Sequence, residues 1–326
     1  MRPQQFPARD ALTICFAHGA YQMANRFAAR GLGINHFQVR TFEDLKARAA
    51  EADVIVVSMM WRNEILGLSP RLKFVQSISA GTDQYDRAAF ASHGVRLASA
   101  AGVNANAVAE HAMAMILAIE RRIATGRDNQ ALAHWRPMIS EIADREAELA
   151  GRTIVIVGLG RIGAQLARFA KAFDMSVIGV KRDLSSGAGV ADKVAAVTNL
   201  KSVLPEADVV VLACPLTPET ENLIDATALA AMKPSALLVN VSRGRVVDEV
   251  ALIAALQAKK LRAAALDVTR EEPLPPASPL WSMPNVLVTP HTAGETQAYE
   301  DNVIDILVEN LGRLGRGETE LRNAVV

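Results

Sequence analysis

Residues 153–163 read Thr-Ile-Val-Ile-Val-Gly-Leu-Gly-Arg-Ile-Gly, within a chain of 326 residues. The apolar, β-branched run 153–157 predicts a fully buried strand. A helical pattern follows, with its apolar side chains on one face: Ile162, Leu166, Phe169, Ala170 and Phe173. A second apolar run, 176–180, then ends at Lys181-Arg182-Asp183. Strand, glycine turn, helix and strand together predict a βαβ unit.

The three glycines in this stretch, Gly158, Gly160 and Gly163, have the spacing G-x-G-x-x-G. In a dinucleotide-binding unit the first allows a tight turn, the second lets a pyrophosphate approach the backbone, and the third lets the helix pack closely on its strand. The start of the helix, at Arg161 and Ile162, offers N–H groups and partial positive charge to the phosphates. The pattern favours a dinucleotide site. A glycine-rich turn without a ligand and a site for another adenosine ligand, such as S-adenosylmethionine, are the alternatives.

Lys181 and Arg182 stand at the tip of the second strand, where NAD-binding units carry an Asp or Glu about 20 residues past the glycines to bind the ribose 2′-hydroxyl. A carboxylate repels a 2′-phosphate, whereas two cations attract it and a guanidinium can hold it by two hydrogen bonds. The pair therefore predicts a preference for NADP(H). NAD(H) stays possible because Asp183 follows, and a solvated strand end is the structural alternative.

Length and composition restrict the class of protein. A chain of 326 residues predicts two domains, and equal numbers of basic and acidic residues, 35 of each, argue against a nucleic-acid partner. Cys15 and Cys214 have neither metal-site spacing nor a disulfide pattern. The N-terminal residues form no signal-peptide core, and the apolar helix 103–119 is interrupted by Glu110 and His111. We expect a soluble cytoplasmic protein without a metal site or a membrane partner.

Strands and helices alternate before the glycine turn, which predicts a first parallel, doubly wound domain. The predicted strands are 12–17, 34–39, 54–57, 74–78 and 95–98, and the predicted helices are 22–30 and 42–50. A long helix, 106–123, joins the two halves. Its wide apolar surface indicates either a subunit interface or intramolecular packing on two sides. Residues 128–150 are predicted to be irregular.

Polar side chains follow the predicted strands of the second domain. Strands 209–213, 236–241, 263–268 and 286–289 are followed by Cys214-Pro215, Arg243, Glu272 and His291 respectively. Ligands of open parallel sheets bind outside the carboxyl ends of the strands. A guanidinium can clamp a carboxylate, an imidazole can exchange the proton that accompanies hydride transfer, and a carboxylate can orient the imidazole. From the local sequence alone, Glu271 is as good an acid as Glu272, and Arg245 as good a cation as Arg243.

Several segments resemble the D-isomer-specific 2-hydroxyacid dehydrogenase family. They are Gly-Leu-Gly-Arg-Ile-Gly (158–163), Asn-Val-Ser-Arg-Gly-Arg-Val-Val-Asp (240–248), Leu-Asp-Val-Thr-Arg-Glu-Glu-Pro-Leu (266–274), Asn-Val-Leu-Val-Thr-Pro-His-Thr-Ala-Gly (285–294), Ser-Ala-Gly-Thr-Asp (79–83) and Asn-Ala-Asn-Ala-Val-Ala-Glu (104–110). The resemblance implies an α/β fold with two doubly wound parallel-sheet domains. A Rossmann NAD(P)-binding domain, 103–292, would be inserted in a flavodoxin-like substrate domain, 1–102 and 293–326. The last helix, 296–314, would return to the substrate domain, and the protein would be a homodimer through the nucleotide-binding domain.

The same resemblance implies roles for individual residues. Arg243 would hold the 2-oxo acid, His291 would be the acid/base, and Glu272 would be its partner. The backbone at Ser79, Ala80 and Gly81 would bind the substrate carboxylate. The expected cofactor contacts are Gly158, Gly160, Arg161, Ile162, Gly163, Lys181, Arg182, Cys214, Pro215 and Asp267, the last at the nicotinamide carboxamide.

Two features depart from the commonest pattern of the family. Lys181-Arg182 replaces the ribose-binding acid, as in NADPH-preferring glyoxylate/hydroxypyruvate reductases, and Cys214 stands where many members carry histidine. We expect reduction of a small 2-oxo acid, such as glyoxylate or hydroxypyruvate, to the D-2-hydroxy acid. Met59-Met60-Trp61 would line the pocket or fill the core. The alternatives are a phosphoglycerate dehydrogenase and a non-catalytic dinucleotide sensor resembling the C-terminal binding protein corepressors.

Overall fold

The computed structural model describes residues 6–185 and 187–326; residues 1–5 of the predicted substrate domain lie outside these ranges. The chain divides into two compact units. Unit 1 contains the described residues through Asn104 together with Thr296–Val326, and unit 2 contains Ala105–Glu295. Within the described ranges, no helix combines the length and the apolar character needed to cross a bilayer.

The elements follow in chain order. The strands are β1 Thr13–Ala17, β2 Asn35–Val39, β3 Val54–Val57, β4 Phe74–Ser77, β5 Arg96–Ala98, β6 Thr153–Val157, β7 Ser176–Lys181, β8 Lys193–Ala196, β9 Val209–Leu212, β10 Leu237–Asn240, β11 Ala263–Leu266 and β12 Val286–Val288. The α-helices are α1 Met23–Ala28, α2 Phe42–Arg48, α3 Glu64–Leu68, α4 Arg87–His93, α5 Ala105–Glu120, α6 Ile123–Ala131, α7 Arg161–Ala172, α8 Leu200–Val203, α9 Ala226–Ala231, α10 Glu249–Gln257 and α11 Tyr299–Gly315.

Unit 1 is built on a parallel sheet with the strand order β2-β1-β3-β4-β5. This is the flavodoxin-like order 2-1-3-4-5. The strands are apolar on both faces because helices cover both sides, so β3 reads Val-Ile-Val-Val without alternation. One face packs against Phe27 of α1 and Val303 and Leu307 of α11. The last helix therefore completes the core of unit 1, as predicted.

Unit 2 is built on a parallel sheet with the order β12-β11-β10-β9-β6-β7-β8. Counted from its own first strand, β6, this is the Rossmann order 3-2-1-4-5-6 with one more strand at the β12 edge. Apolar clusters cover both faces, one around Leu212 and Leu238 and the other around Met113 and Leu166. The predicted fold class, two doubly wound parallel-sheet domains, is confirmed.

Local predictions failed where the burial pattern is weak. Lys193–Ala196 was not predicted as a strand; it is the edge strand β8, and its residues are only partly buried or exposed. The region predicted as irregular from residue 128 includes the end of α6, and none of the residues of α6, all of them described, is buried. The predicted helix 106–123 ends at Glu120, whose buried carboxylate accepts hydrogen bonds from Arg152 and Arg262.

Candidate active site

The glycine turn joins β6 to α7 at the carboxyl edge of the sheet of unit 2. Gly158 has a φ of +102°, and a Cβ there would stand 2.8 Å from backbone atoms of Ala213 and Cys214. A Cβ on Gly163 would overlap the carbonyl oxygen of Gly158. Both positions therefore require glycine, the first for the turn and the third for the close approach of the helix.

Gly160 is not confined by the protein. A Cβ at this position would meet no described atom within 4 Å. Gly160 is the N-cap of α7, and among the described residues no side chain caps that helix end. Open space in front of uncapped helical N–H groups is the environment that a pyrophosphate needs. The residues of the turn therefore fit a dinucleotide.

The tip of β7 carries two cations close to two carboxylates. Hydrogen bonds from Ser185 hold the pKa of Asp183 below its ordinary value, and the charge of Lys181 contributes. A hydrogen bond from Thr217 lowers the pKa of Glu219, to which the charge of Arg182 contributes. Lys181 Nζ also donates to the Gly187 carbonyl. The tip can therefore present positive charge to a phosphate or a carboxylate to a ribose hydroxyl.

Cys214 follows β9 and contacts the glycine turn through its backbone, since its nitrogen lies 2.8 Å from the position of a Cβ on Gly158. Its side chain is buried, and burial raises the pKa of the thiol to about 11. At neutral pH Cys214 is therefore an uncharged thiol. The carbonyl of the next residue, Pro215, accepts a hydrogen bond from Thr220 Oγ1 at 2.7 Å, which fixes the turn after β9.

His291 and Glu272 form a pair at the ends of β12 and β11. His291 Nδ1 lies 2.7 Å from Glu272 Oε2, and the Thr269 N–H donates to Glu272 Oε1 at 3.1 Å. Burial raises the pKa of Glu272, but the hydrogen bond and charge of His291, with smaller contributions from the Thr269 N–H and from Arg243, hold it below its ordinary value. An ionised carboxylate only accepts hydrogen bonds, so Nδ1 carries the proton and Nε2 is the nitrogen available for proton exchange.

Arg243 follows β10, the neighbour of β11. Its Nη1 donates to the Ser242 carbonyl at 2.9 Å. The next residue, Gly244, packs so tightly on Thr269 that a Cβ would overlap the Thr269 carbonyl. This contact brings the segment of Arg243 against the segment that carries Glu272, in agreement with the electrostatic influence of Arg243 on Glu272.

The structure distinguishes the side chains that the local sequence left equivalent. Glu272 contacts His291, whereas the carbonyl of Glu271 accepts from Thr269 Oγ1. Arg245 pairs with Glu221 at 2.7 Å, away from the His291–Glu272 pair. Arg243, Glu272 and His291 thus lie at the carboxyl ends of three neighbouring strands.

Asp267 is buried behind the turn that carries His291. Its carboxylate accepts from Thr289 Oγ1 at 2.7 Å, from the Thr292 N–H at 3.0 Å and from the Ala293 N–H at 3.1 Å. His111 Nε2 reaches Thr289 Oγ1 at 2.9 Å. The sequence prediction included Asp267 but missed Thr289 and His111. A histidine on the apolar face of a helix was the available signal, and it was treated only as an interruption.

The substrate-side predictions fall in unit 1, at the ends of β3 and β4. The Ser79 N–H donates to Ser77 Oγ at 3.1 Å, and the Ser79 hydroxyl contacts that of Ser58. Trp61 is 2% exposed and packs against Phe90 with ring centroids 5.1 Å apart. Trp61 therefore belongs to the core and does not line a pocket, while Met59 is 80% exposed.

Known proteins resemble this chain over nearly its whole length. A family model, "D-isomer specific 2-hydroxyacid dehydrogenase, NAD binding domain", matches residues 113–293. The glyoxylate reductase of Aeropyrum pernix is 34% identical over 295 residues, which cover 86% of this chain and 85% of that protein. The D-3-phosphoglycerate dehydrogenase of Methanocaldococcus jannaschii is also 34% identical, over 85% of this chain and 52% of that protein.

A solved structure agrees with these sequence matches. The NADPH-dependent glyoxylate/hydroxypyruvate reductase from Sinorhizobium meliloti, solved with NADP and malonate, superposes with a TM-score of 0.81 at 25% identity over 97% of both chains. Fold and site together define an NAD-binding α/β protein. The chain belongs to the D-isomer-specific 2-hydroxyacid dehydrogenase family, which confirms the predicted membership.

Proposed function

We propose that the protein reduces a small 2-oxo acid of the glyoxylate or hydroxypyruvate type to the D-2-hydroxy acid. The observation that carries the proposal is the 2.7 Å contact between His291 Nδ1 and Glu272 Oε2, close to Arg243 and in the unit that holds the glycine turn. Membership of a dehydrogenase family supports an oxidoreductase. The glyoxylate reductase names of several relatives support the substrate class.

We assign the following cofactor-binding roles to residues of the protein. The 158–163 turn would hold the pyrophosphate of the dinucleotide, and Lys181 with Arg182 would hold a 2′-phosphate, which makes NADP(H) the preferred cofactor and NAD(H) a possible one. The bound nicotinamide supplies the hydride. Asp267 would meet the nicotinamide carboxamide through the acceptor capacity that its three protein donors leave unused.

Arg243 would clamp the substrate carboxylate and polarise the neighbouring carbonyl. In unit 1, we propose that the backbone N–H groups of Ala80 and Gly81 bind a substrate carboxylate, while the Ser79 N–H donates to Ser77 Oγ. His291 would give the Nε2 proton to the oxygen of the reduced carbonyl, and Glu272 would hold the Nδ1 proton and stabilise the charged imidazole before transfer.

A panel of 2-oxo acids assayed with NADPH and with NADH tests the proposal. We expect oxidation of NADPH with glyoxylate or hydroxypyruvate, and a lower kcat/KM with NADH. Dinucleotide binding without turnover of any acid would favour the non-catalytic sensor. A marked preference for 3-phosphohydroxypyruvate would favour phosphoglycerate dehydrogenase. Equal or better kcat/KM with NADH would refute the NADP preference.

We further propose that the protein forms a homodimer through unit 2. Helix α6 leads into a segment with exposed apolar side chains: Leu132, Trp135, Met138 and Ile142. Trp135 is 96% exposed and Met138 94% exposed. Such residues are typical of protein interfaces. Sedimentation of the wild type should give a dimer, and Trp135→Ser with Met138→Ser should give monomers. Val250→Ser, at an exposed apolar residue of α10, is the control that should stay dimeric.

A further inference from the structure

Asp267 binds the turn that carries His291 at several points. The His291 N–H donates to the Asp267 carbonyl at 2.8 Å, and the N–H groups of Thr292 and Ala293 donate to its carboxylate. His291 itself has a φ of +55°. A left-handed conformation is unfavourable for a non-glycine residue and persists only where the surroundings enforce it. The hydrogen bonds that Asp267 accepts from this turn enforce it.

The hydrogen bonds beyond Asp267 have a defined direction. A carboxylate only accepts, so the Thr289 hydroxyl gives its proton to Asp267 Oδ1, at 2.7 Å. The same hydroxyl oxygen can then only accept from His111 Nε2, at 2.9 Å. His111 Nε2 therefore carries a proton, and the donor chain runs from His111 through Thr289 to Asp267. His111 lies on α5, 178 residues before Thr289, and its side chain is 25% exposed.

We propose that His111 is a positioning residue for His291, acting through Thr289 and Asp267. The inference rests on the proposed function, because it assigns a purpose to the orientation of the His291 imidazole. Glu272 fixes the imidazole at Nδ1, and Asp267 fixes the backbone of His291. These two contacts together set the direction in which Nε2 points. The hydrogen bonds from His111 through Thr289 hold Asp267, and with it the backbone of His291, in place.

The size of the effect follows from the geometry of proton transfer. Loss of the Thr289 hydroxyl would leave the Asp267 carboxylate with its two backbone donors, and His111 Nε2 would face Asp267 Oδ1 at 3.5 Å in place of the hydroxyl at 2.9 Å. The turn would then sample other arrangements, and a displacement of about 1 Å at a reacting group can cost up to about 100-fold in rate. Because Arg243 and the glycine turn do not take part in this series of hydrogen bonds, binding of the 2-oxo acid and of the dinucleotide pyrophosphate should change little.

Two pairs of substitutions test the hydrogen bonds that link His111, Thr289 and Asp267. Thr289→Val removes the hydroxyl at constant shape and Thr289→Ser keeps it; His111→Leu removes the donor and His111→Gln keeps one near the position of Nε2. We expect Thr289→Val and His111→Leu to lower kcat about 10- to 100-fold, with the KM for the 2-oxo acid unchanged and the protein still folded at the assay temperature. Thr289→Ser and His111→Gln should restore most of kcat.

A spectroscopic measurement on the protein without cofactor is independent of turnover. Imidazole ¹⁵N shifts should show a proton on His111 Nε2 in the wild type, and Thr289→Val should perturb the signals of both His111 and His291. Unchanged kcat in Thr289→Val and His111→Leu would overturn the inference. So would a loss of kcat that follows a lower melting temperature and is not restored by Thr289→Ser. A wild type that turns over no 2-oxo acid would instead refute the proposed function.

Discussion

In each unit the first strand leads through a loop into a helix, but the backbone N–H groups of the two loops have different hydrogen-bond acceptors. In unit 1, β1 leads through a loop into α1, and the N–H groups of Ala20 and Tyr21 donate to His18 Nδ1 at 3.1 and 2.9 Å. The Gln22 N–H donates to Glu300 Oε1. In unit 2, β6 leads into α7, and no described side chain caps that helix.

This difference supports the placement of the proposed dinucleotide site in unit 2. In unit 1, His18 accepts from the loop that precedes α1 and stacks on Tyr21 with ring centroids 4.0 Å apart, and Gln38 Oε1 accepts from the Ala24 N–H in the first turn of α1 at 3.2 Å. The helix N-terminus of unit 2 faces open space at Gly160. Both sheets have a loop between the first strand and the following helix at their carboxyl edge, but the side chains around the loop decide whether it can bind a ligand.

The largest expected effect is on kcat, and it distinguishes His291, which follows β12, from His18, which follows β1. His291→Ala should lower kcat by about 10²- to 10⁴-fold, since it removes the positioned acid/base. His18→Ala should leave kcat near the wild-type value, since His18 serves its own loop. Steady-state kinetics with a 2-oxo acid and NADPH measures both. An active His291→Ala variant, or an equally inactive His18→Ala variant, would contradict the assignment.

The next effect contrasts two glycines in the corresponding loops. Gly158→Ala places a Cβ 2.8 Å from the backbone of Cys214 at a φ of +102°, so the turn must shift. The shifted turn would lose hydrogen bonds to the charged pyrophosphate, and such bonds contribute about 1.5–3 kcal/mol each, so we expect NADPH affinity to fall roughly 10- to 100-fold. Gly19→Ala is the control, since its Cβ would approach the protein no closer than 3.7 Å. Fluorescence titration with NADPH measures both; equal affinities would show that the turn does not hold the dinucleotide.

A smaller effect concerns the cations after β7. Hydrogen bonds to charged groups contribute about 1.5–3 kcal/mol, so Arg182→Ala should lower kcat/KM with NADPH roughly 10- to 100-fold and leave kcat/KM with NADH nearly unchanged. Lys193→Ala, on the adjacent strand β8, removes a cation that pairs with Glu206 and should alter neither value. A parallel loss with both dinucleotides would show that Arg182 does not discriminate between them.

The features that could be predicted from the sequence are mainly those whose physical cause lies within a short segment of the chain. The glycine turn was predictable because the φ of +102° at Gly158 and the contact of Gly163 with the Gly158 carbonyl arise within one βαβ unit. The approach of Ala213 and Cys214 to Gly158 exists only in the folded sheet. The family resemblance supplied the pairing of His291 with Glu272, which the local sequence left open. The link from His111 to Thr289 spans 178 residues and exists only in the folded sheet. Strand β8 and helix α6 lack a buried stripe, so hydrophobic periodicity had no signal to detect.

The smallest effect tests the loop of unit 1 through its pH dependence. Burial lowers the pKa of His18 from its ordinary value of 6.5, with a further lowering by Arg40 and an opposing effect of Glu300. The neutral imidazole, whose Nδ1 accepts two N–H groups, is therefore the folded form. Its contribution is complete above pH 6.5 and is lost as the pH falls through the lower pKa of the folded protein.

Replacing the imidazole removes both the acceptor and its titration. We expect His18→Ala to lower the free energy of unfolding by about 1 kcal/mol at pH 8, the usual net contribution of an intramolecular hydrogen bond. As the pH falls below 6.5 and through the lower pKa of the folded protein, the difference between variant and wild type should shrink, because protonation removes the acceptor from the wild type as well. Urea unfolding at a series of pH values measures it. A difference that stays constant with pH would mean that Nδ1 does not accept from the loop N–H groups, and the contrast between the first loops of the two units would then need another cause.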